Sequence, residues 1–169
     1  MNIYTQSEID NLIKCQKIII EPPPQNMRVE RGHLKKDMKL QSVDSKHKFS
    51  AFMRINERFN ENFSIGLIYI PMDDTPNLTL IRFNGPHGEY IHDLIDPHPH
   101  FGYHIYKVTE KTIQDGTTSE KFIELTEEYS TFDDAIRYFI RYTNIIDAHK
   151  YFEKHIQLPL FKEDSDELD

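Results

Sequence analysis

The chain is poor in the residues that staple or anchor a protein. It has one cysteine, Cys15, in 169 residues. That excludes an internal disulfide and a zinc site built from several cysteines, and it fits a reducing, cytoplasmic setting. Tryptophan is absent and glycine numbers only 6. The phosphate-cradling patterns Gly-x-x-x-x-Gly-Lys and Gly-x-Gly-x-x-Gly do not occur, and neither does His-Glu-x-x-His. Purely apolar runs such as Ile18-Ile19-Ile20 stop at three or four residues. A membrane helix needs about 20, so no membrane partner is expected. The opening MNIYTQSEID lacks a basic stretch followed by an apolar one, so a signal peptide is not expected either.

Positive charge is also short. Twenty Lys and Arg face 28 Asp and Glu, for a net charge of -8. The total alone argues against a protein that coats nucleic acid. Its distribution says something different. Residues 28–58 carry 9 basic and 4 acidic side chains, a net of +5, beside a strand bearing Phe49 and Phe52. This segment is the candidate surface for RNA, DNA or an acidic protein partner. The plainer alternative is a solvated sheet face. Five acids crowd into the seven residues Glu163–Asp169. They read as a disordered tail. The expected organisation is a single α+β domain over 1–160 and an acidic tail over 161–169.

What is present is clear periodicity. Thr5-Gln6-Ser7-Glu8 has the form of a capping box, and Ile9, Leu12, Ile13 and Gln16 follow at helical spacing. The spacing predicts a first helix near 6–19, stopped by Pro22-Pro23-Pro24. From Lys36 the period becomes two. Phe49, Ala51, Met53 and Ile55 alternate with Ser50, Phe52, Arg54 and Asn56, and Phe63, Ile65, Leu67 and Tyr69 make a second strand. Leu78, Leu80 and Arg82 make a third alternating run. Met38–Val43 is weaker, and His104–Val108 comes last. Short links between these runs imply antiparallel neighbours. Ser130 or Thr131 begins a further helix with the stripe Phe132, Ala135, Ile136, Phe139, Ile140 and Thr143. A shorter helix is expected near 147–156. The fold class expected is α+β: an N-terminal helix, a four- to five-stranded antiparallel sheet, and C-terminal helices packed on one face.

Five of the nine histidines fall between His87 and His104, with Arg82 just upstream. Pro97 and Pro99 hold the stretch around His98 and His100 extended. Two chemistries suit this segment. Asp96, His98 and His100 could ligate a divalent transition metal such as Zn, Ni, Mn or Fe. Alternatively, His87, His100 and His104 could serve as acid–base groups while Arg82 steadies a phosphate, as in a metal-independent ribonuclease. The structural alternative is a set of solvated turn histidines, with His104 filling a strand position beside Tyr106.

The chain also resembles an uncharacterised domain family of bacteria, archaea and phage-like elements. The resemblance rests on Thr5–Asp10, the strand Phe49–Ile55, Leu80-Ile81-Arg82 leading to Gly85-Pro86-His87, His104-Ile105-Tyr106, and Phe139–Ile145. That family shows a Gly-x-His turn followed by a His-x-His-x-Tyr strand. Gly102 stands where the first His of that strand would fall. The resemblance implies an architecture and carries no activity. The functional expectation rests instead on the Arg82-then-His cluster near the basic segment: a nuclease-like, phosphodiester-acting protein, toxin-like in kind. Its rivals are a non-catalytic protein-interaction module, either partner or inhibitor, and a His-rich metal-binding domain.

Overall fold

A computed structural model describes residues 4–87, 102–116 and 123–153. Thr5 caps the first helix, α1 (Gln6–Lys14), through a complete capping box. Its hydroxyl accepts from the Glu8 N–H, and the Glu8 carboxylate accepts from the Thr5 N–H at 2.7 Å. The strands are β1 (Lys17–Glu21), β2 (Arg28–Glu30), β3 (His33–Ser42), β4 (Lys48–Asn56), β5 (Phe63–Ile70), β6 (Leu78–Asn84) and β7 (His104–Lys107). After the short helix α2 (Glu110–Gln114) come β8 (Ile123–Leu125) and α3 (Phe132–Tyr142), which Thr131 caps. No helix among the described residues is long and apolar enough to cross a membrane.

The strands form one eight-stranded antiparallel sheet, ordered β1-β3-β4-β5-β6-β7-β8 with β2 on β3. This corrects the expected four- to five-stranded sheet with C-terminal helices packed on one face. Three strands account for the difference. β1 occupies residues read as the end of the first helix. That helix stops at Lys14, because Cys15 turns extended, and the β-branched run Ile18–Ile20 pairs with β3 instead. β2 lies in the basic stretch after the prolines. It makes a tight hairpin with β3 through Arg31 (φ 50°) and Gly32 (φ 77°), the two left-handed residues that such a turn requires. β8 is only three residues long, too short for any periodicity to mark it.

The C-terminal part differs too. Of the helix expected over 147–156, the described residues hold a 3-10 turn at Ala148–Lys150, and 154–156 lie outside the described residues. The proposed tail at 161–169 lies outside the described residues.

One face of the sheet is core. Alternation in β4 and β5 buries Phe49, Ala51, Met53, Phe63, Ile65 and Leu67. Ile9, Leu12 and Ile13 of α1, with Ala135, Ile136 and Phe139 of α3, belong to the same cluster. Each fully buried Phe, Met, Ile or Leu among them contributes roughly 1.5–3 kcal/mol. The alternation expected in β6 fails at one point. A register shift leaves Leu80 unpaired between Thr79 and Ile81, so Leu80 and Ile81 are both buried. Arg82 then resumes on the opposite face.

The two ends of the described chain are clasped together. Lys17 is fully buried, and its Nζ donates to the carbonyls of Ile13 (2.8 Å), Cys15 (2.8 Å) and Thr143 (3.0 Å). The Ile19 N–H donates to the Asp147 carboxylate at 3.0 Å.

Candidate functional site

Strand register lays two rows of side chains across the face opposite the core. In the first, Lys35, Arg54, Ser64, Asn84 and His104 stand directly opposed in successive strand pairs. In the second, Asp37, Phe52, Gly66, Arg82 and Tyr106 do so. Neighbouring strands are about 4.8 Å apart, so each row is a line of adjoining groups. Side chains of both rows line a hollow of about 610 Å³, where His33 and His87 join Lys35, Arg54, Phe52 and Arg82. None of the described lining residues is acidic.

The cations differ in what holds them. Arg54 pairs with Asp37 at 2.8 Å and donates to the Met53 carbonyl at 2.9 Å. Lys35 pairs with Glu30 at 3.2 Å, and that contact holds the Glu30 carboxyl below its ordinary range. Arg82 is different. Among the described residues no carboxylate pairs with it. It donates only to the Ser64 hydroxyl, from Nη2 at 3.2 Å and Nε at 3.4 Å. The Ser64 hydroxyl in turn donates to Asn84 Oδ1 at 2.8 Å. Burial pushes the Arg82 pKa down from its ordinary value, yet a guanidinium stays charged at neutral pH. A half-buried cation without a carboxylate gains from any anion that reaches it.

Phe52 reaches over its β5 partner Gly66. A Cβ on Gly66 would run into Cε1 and Cζ of its ring, so glycine is what seats it. The Arg54 and Arg82 guanidinium carbons lie 5.2 Å and 5.8 Å from the ring centroid. Both distances are within cation–π range.

The Gly85-Pro86-His87 turn has its own steric cause. The Gly85 N–H donates to the Phe63 carbonyl at 3.0 Å. A Cβ at Gly85 would overlap the Glu61 carbonyl oxygen and lie 2.9 Å from its carbon. The bare backbone lets β6 pass hard against the β4–β5 turn and delivers His87 to the hollow.

The sequence-derived candidates divide as follows. Arg82 and His87 meet in the hollow. His104 sits beside them, with its ring centroid 5.0 Å from that of His87. It is only 1% exposed, and its Nδ1 is 2.9 Å from the Gly102 carbonyl. That contact fixes the tautomer with the proton on Nδ1 whenever the ring is neutral. Asp96, His98 and His100 lie outside the described residues. Among the described residues no three His, Cys, Asp or Glu side chains come together to hold a metal.

The basic segment 28–58 is divided between the two faces. Lys35 and Arg54 reach the hollow, whereas Lys36 lies on the core side, 5.8 Å from the Phe152 ring centroid.

Sequence reasoning placed Arg54 and Phe52 only in or beside the basic segment, apart from the Arg82–His87 cluster, and missed Ser64, Asn84 and Tyr129. Tyr129 acts from the core side. Its hydroxyl accepts from the Asn84 N–H at 3.0 Å and donates to the His104 carbonyl at 2.8 Å. Burial raises its pKa well above the ordinary phenol value, so this proton stays in place. Replacing Tyr129 by Phe orphans a buried donor and a buried acceptor. We expect a loss of about 1–3 kcal/mol, read from urea unfolding midpoints. Unchanged midpoints would deny the hydroxyl this bridging role.

No protein-family model, curated protein or solved structure matches the chain.

Proposed function

We propose that the hollow binds the phosphodiester backbone of a nucleic acid and that His87 acts there as a nuclease-like acid–base group. The observation that carries this reading is Arg82: a half-buried guanidinium in a basic hollow, with no carboxylate partner among the described residues. Arg82 would neutralise the phosphate, with Arg54 and Lys35 flanking it. His87 would take the proton from an attacking hydroxyl or return it to the leaving oxygen. His104, buried behind it, is a positioning residue in this reading. The reducing cytoplasm expected from the lone Cys15 is a compartment where RNA and DNA ligands are met.

A second reading has its own support. The His87 and His104 rings are 5.0 Å apart, too close to flank a phosphorus atom as an acid–base pair. The hollow would then bind without cleaving, as a non-catalytic interaction module does.

One assay separates the two. Labelled single-stranded RNA and DNA are titrated with the protein at several salt concentrations, and cleavage is followed on gels. Arg82→Ala is expected to weaken binding about tenfold or more and to flatten the salt slope by roughly 0.7. His87→Ala is expected to abolish cleavage and leave binding within a few fold. Binding without any cleavage supports the second reading. Absence of salt-sensitive binding, or binding indifferent to Arg82→Ala, overturns both.

A further inference from the structure

We infer that the ligand is a single-stranded nucleic acid, one of whose bases stacks at Phe52 while its neighbouring phosphate meets Arg82. The inference rests on the phosphodiester reading above and adds to it the class of strand.

Phe52 is the reason. A hollow for phosphate alone needs only donors and positive charge. This one has an aromatic ring among its lining side chains, seated over Gly66 with two guanidinium carbons 5.2 Å and 5.8 Å from its centroid. Large apolar side chains belong on the core face, and every other β4 phenylalanine, isoleucine or methionine is there. Phe52 is the exception, half-buried on the open face. Aromatic ring plus flanking cations is the pairing that suits a nucleotide, which joins a flat π-system to a phosphate within one residue. Stacking tolerates any base, because each has a π-face.

The geometry also separates strand types. In a duplex the base faces are stacked inside and cannot reach the floor of a sheet. In a single strand they splay outward, which is how sheet surfaces take RNA. The hollow continues past Phe52 to Lys35 and His33 on the far side of Arg54. A connected strand uses that length, and a lone mononucleotide does not.

The test uses the full chain and four probes: a labelled eight-residue single strand, its duplex, an abasic sugar–phosphate oligomer of the same length, and a mononucleotide. The single strand is expected to bind tightest, and the abasic oligomer about tenfold or more weaker. Phe52→Leu should bring the single strand down to the abasic level and leave the abasic oligomer unchanged. Phe52→Tyr, which keeps the ring, should restore stacking. Equal binding of single strand and abasic oligomer overturns the inference. So does a Phe52→Leu loss shared equally by both, which would mark Phe52 as a support for Arg82. Duplex or mononucleotide binding as tight as the single strand overturns the choice of ligand. If the abasic oligomer shows no salt-sensitive binding to the unmodified protein, the phosphodiester reading itself fails.

Discussion

Gly85→Ala is expected to destabilise the protein by about 3–5 kcal/mol, at the severe end for one added methyl. The reason is what the methyl meets. It would overlap the main-chain carbonyl of Glu61, which has no rotamer to escape into. The β4–β5 turn holding that carbonyl is itself tied down. The Asn62 N–H donates to the Phe59 carbonyl at 2.8 Å, and the Asn56 N–H to the Asn62 carbonyl at 2.9 Å. Relief therefore requires moving either β6 or the turn, and each movement breaks backbone hydrogen bonds. Gly32 provides the contrast. Its φ is 77°, but nothing lies within 4 Å of an added Cβ. Alanine there costs only the left-handed penalty of about 1–2 kcal/mol. Urea unfolding of the two variants side by side is the measurement. Because His87 follows two residues later, Gly85→Ala should also weaken oligonucleotide binding under conditions where the fold survives. A Gly85→Ala protein within 1 kcal/mol of the parent would show that the turn slides freely, and the steric account would be wrong.

Lys17→Met is expected to cost roughly 2–4 kcal/mol. The ammonium has three protons and meets three carbonyls, all at the C-terminal ends of α1 and α3. Those ends carry the negative poles of the helices, so a cation there is doubly favoured. Methionine has similar length and no donor, and it would orphan all three acceptors. Sparing the desolvation of an ammonium offsets part of that loss. The same residue gives a pH signature. Burial lowers the Lys17 pKa from 10.5 to about 8. Between those values the unfolded chain binds this proton more tightly than the folded one. Stability from this group therefore rises as pH climbs from about 8 to 10.5, and it is flat below that window. The rise is on the order of 3 kcal/mol at most. Unfolding curves of the parent and Lys17→Met proteins at pH 7, 8.5 and 10 should converge in shape but differ in trend. Only the parent gains this increment. Parallel pH profiles for both proteins would contradict it.

The parts of the fold legible in the sequence are those where one period runs unbroken and one face is buried. Phe49–Ile55 and Phe63–Tyr69 show it at period two, and Phe132–Thr143 at helical spacing with Thr131 as cap. β1 was hidden because a short continuous run of isoleucines following a helix has no period of its own. β2 and β8, at three residues each, are too short to signal.

The site was legible by residue type at Arg82 and His87 and illegible by partner. That Phe52 neighbours Gly66 and Arg82 depends on the register of two hairpins. A slip of one residue would send each to the core face. Leu80 shows how easily that happens, since the bulge there resets the alternation just before Arg82. Tyr129 lies 45 residues from Asn84 in the chain. No local pattern connects the two.

The clasp around Lys17 also bears on the order in which the chain can fold. β3, β4, β5 and β6 are joined by short links and pair with sequence neighbours, so they can assemble as soon as they are synthesised. The helix α1 and β1 cannot complete their contacts then, although they precede those strands in the chain. The Lys17–Thr143 bond spans 126 residues, and the Ile19–Asp147 bond spans 128. Contacts of such separation form late, because loop-closure entropy must be met first. Until α3 is made, the Lys17 ammonium lacks one of its acceptors and the outer edge of the growing sheet waits for its closing segment. The α1–β1 segment, made before its partners in α3 and at Asp147, is thus the piece that locks last.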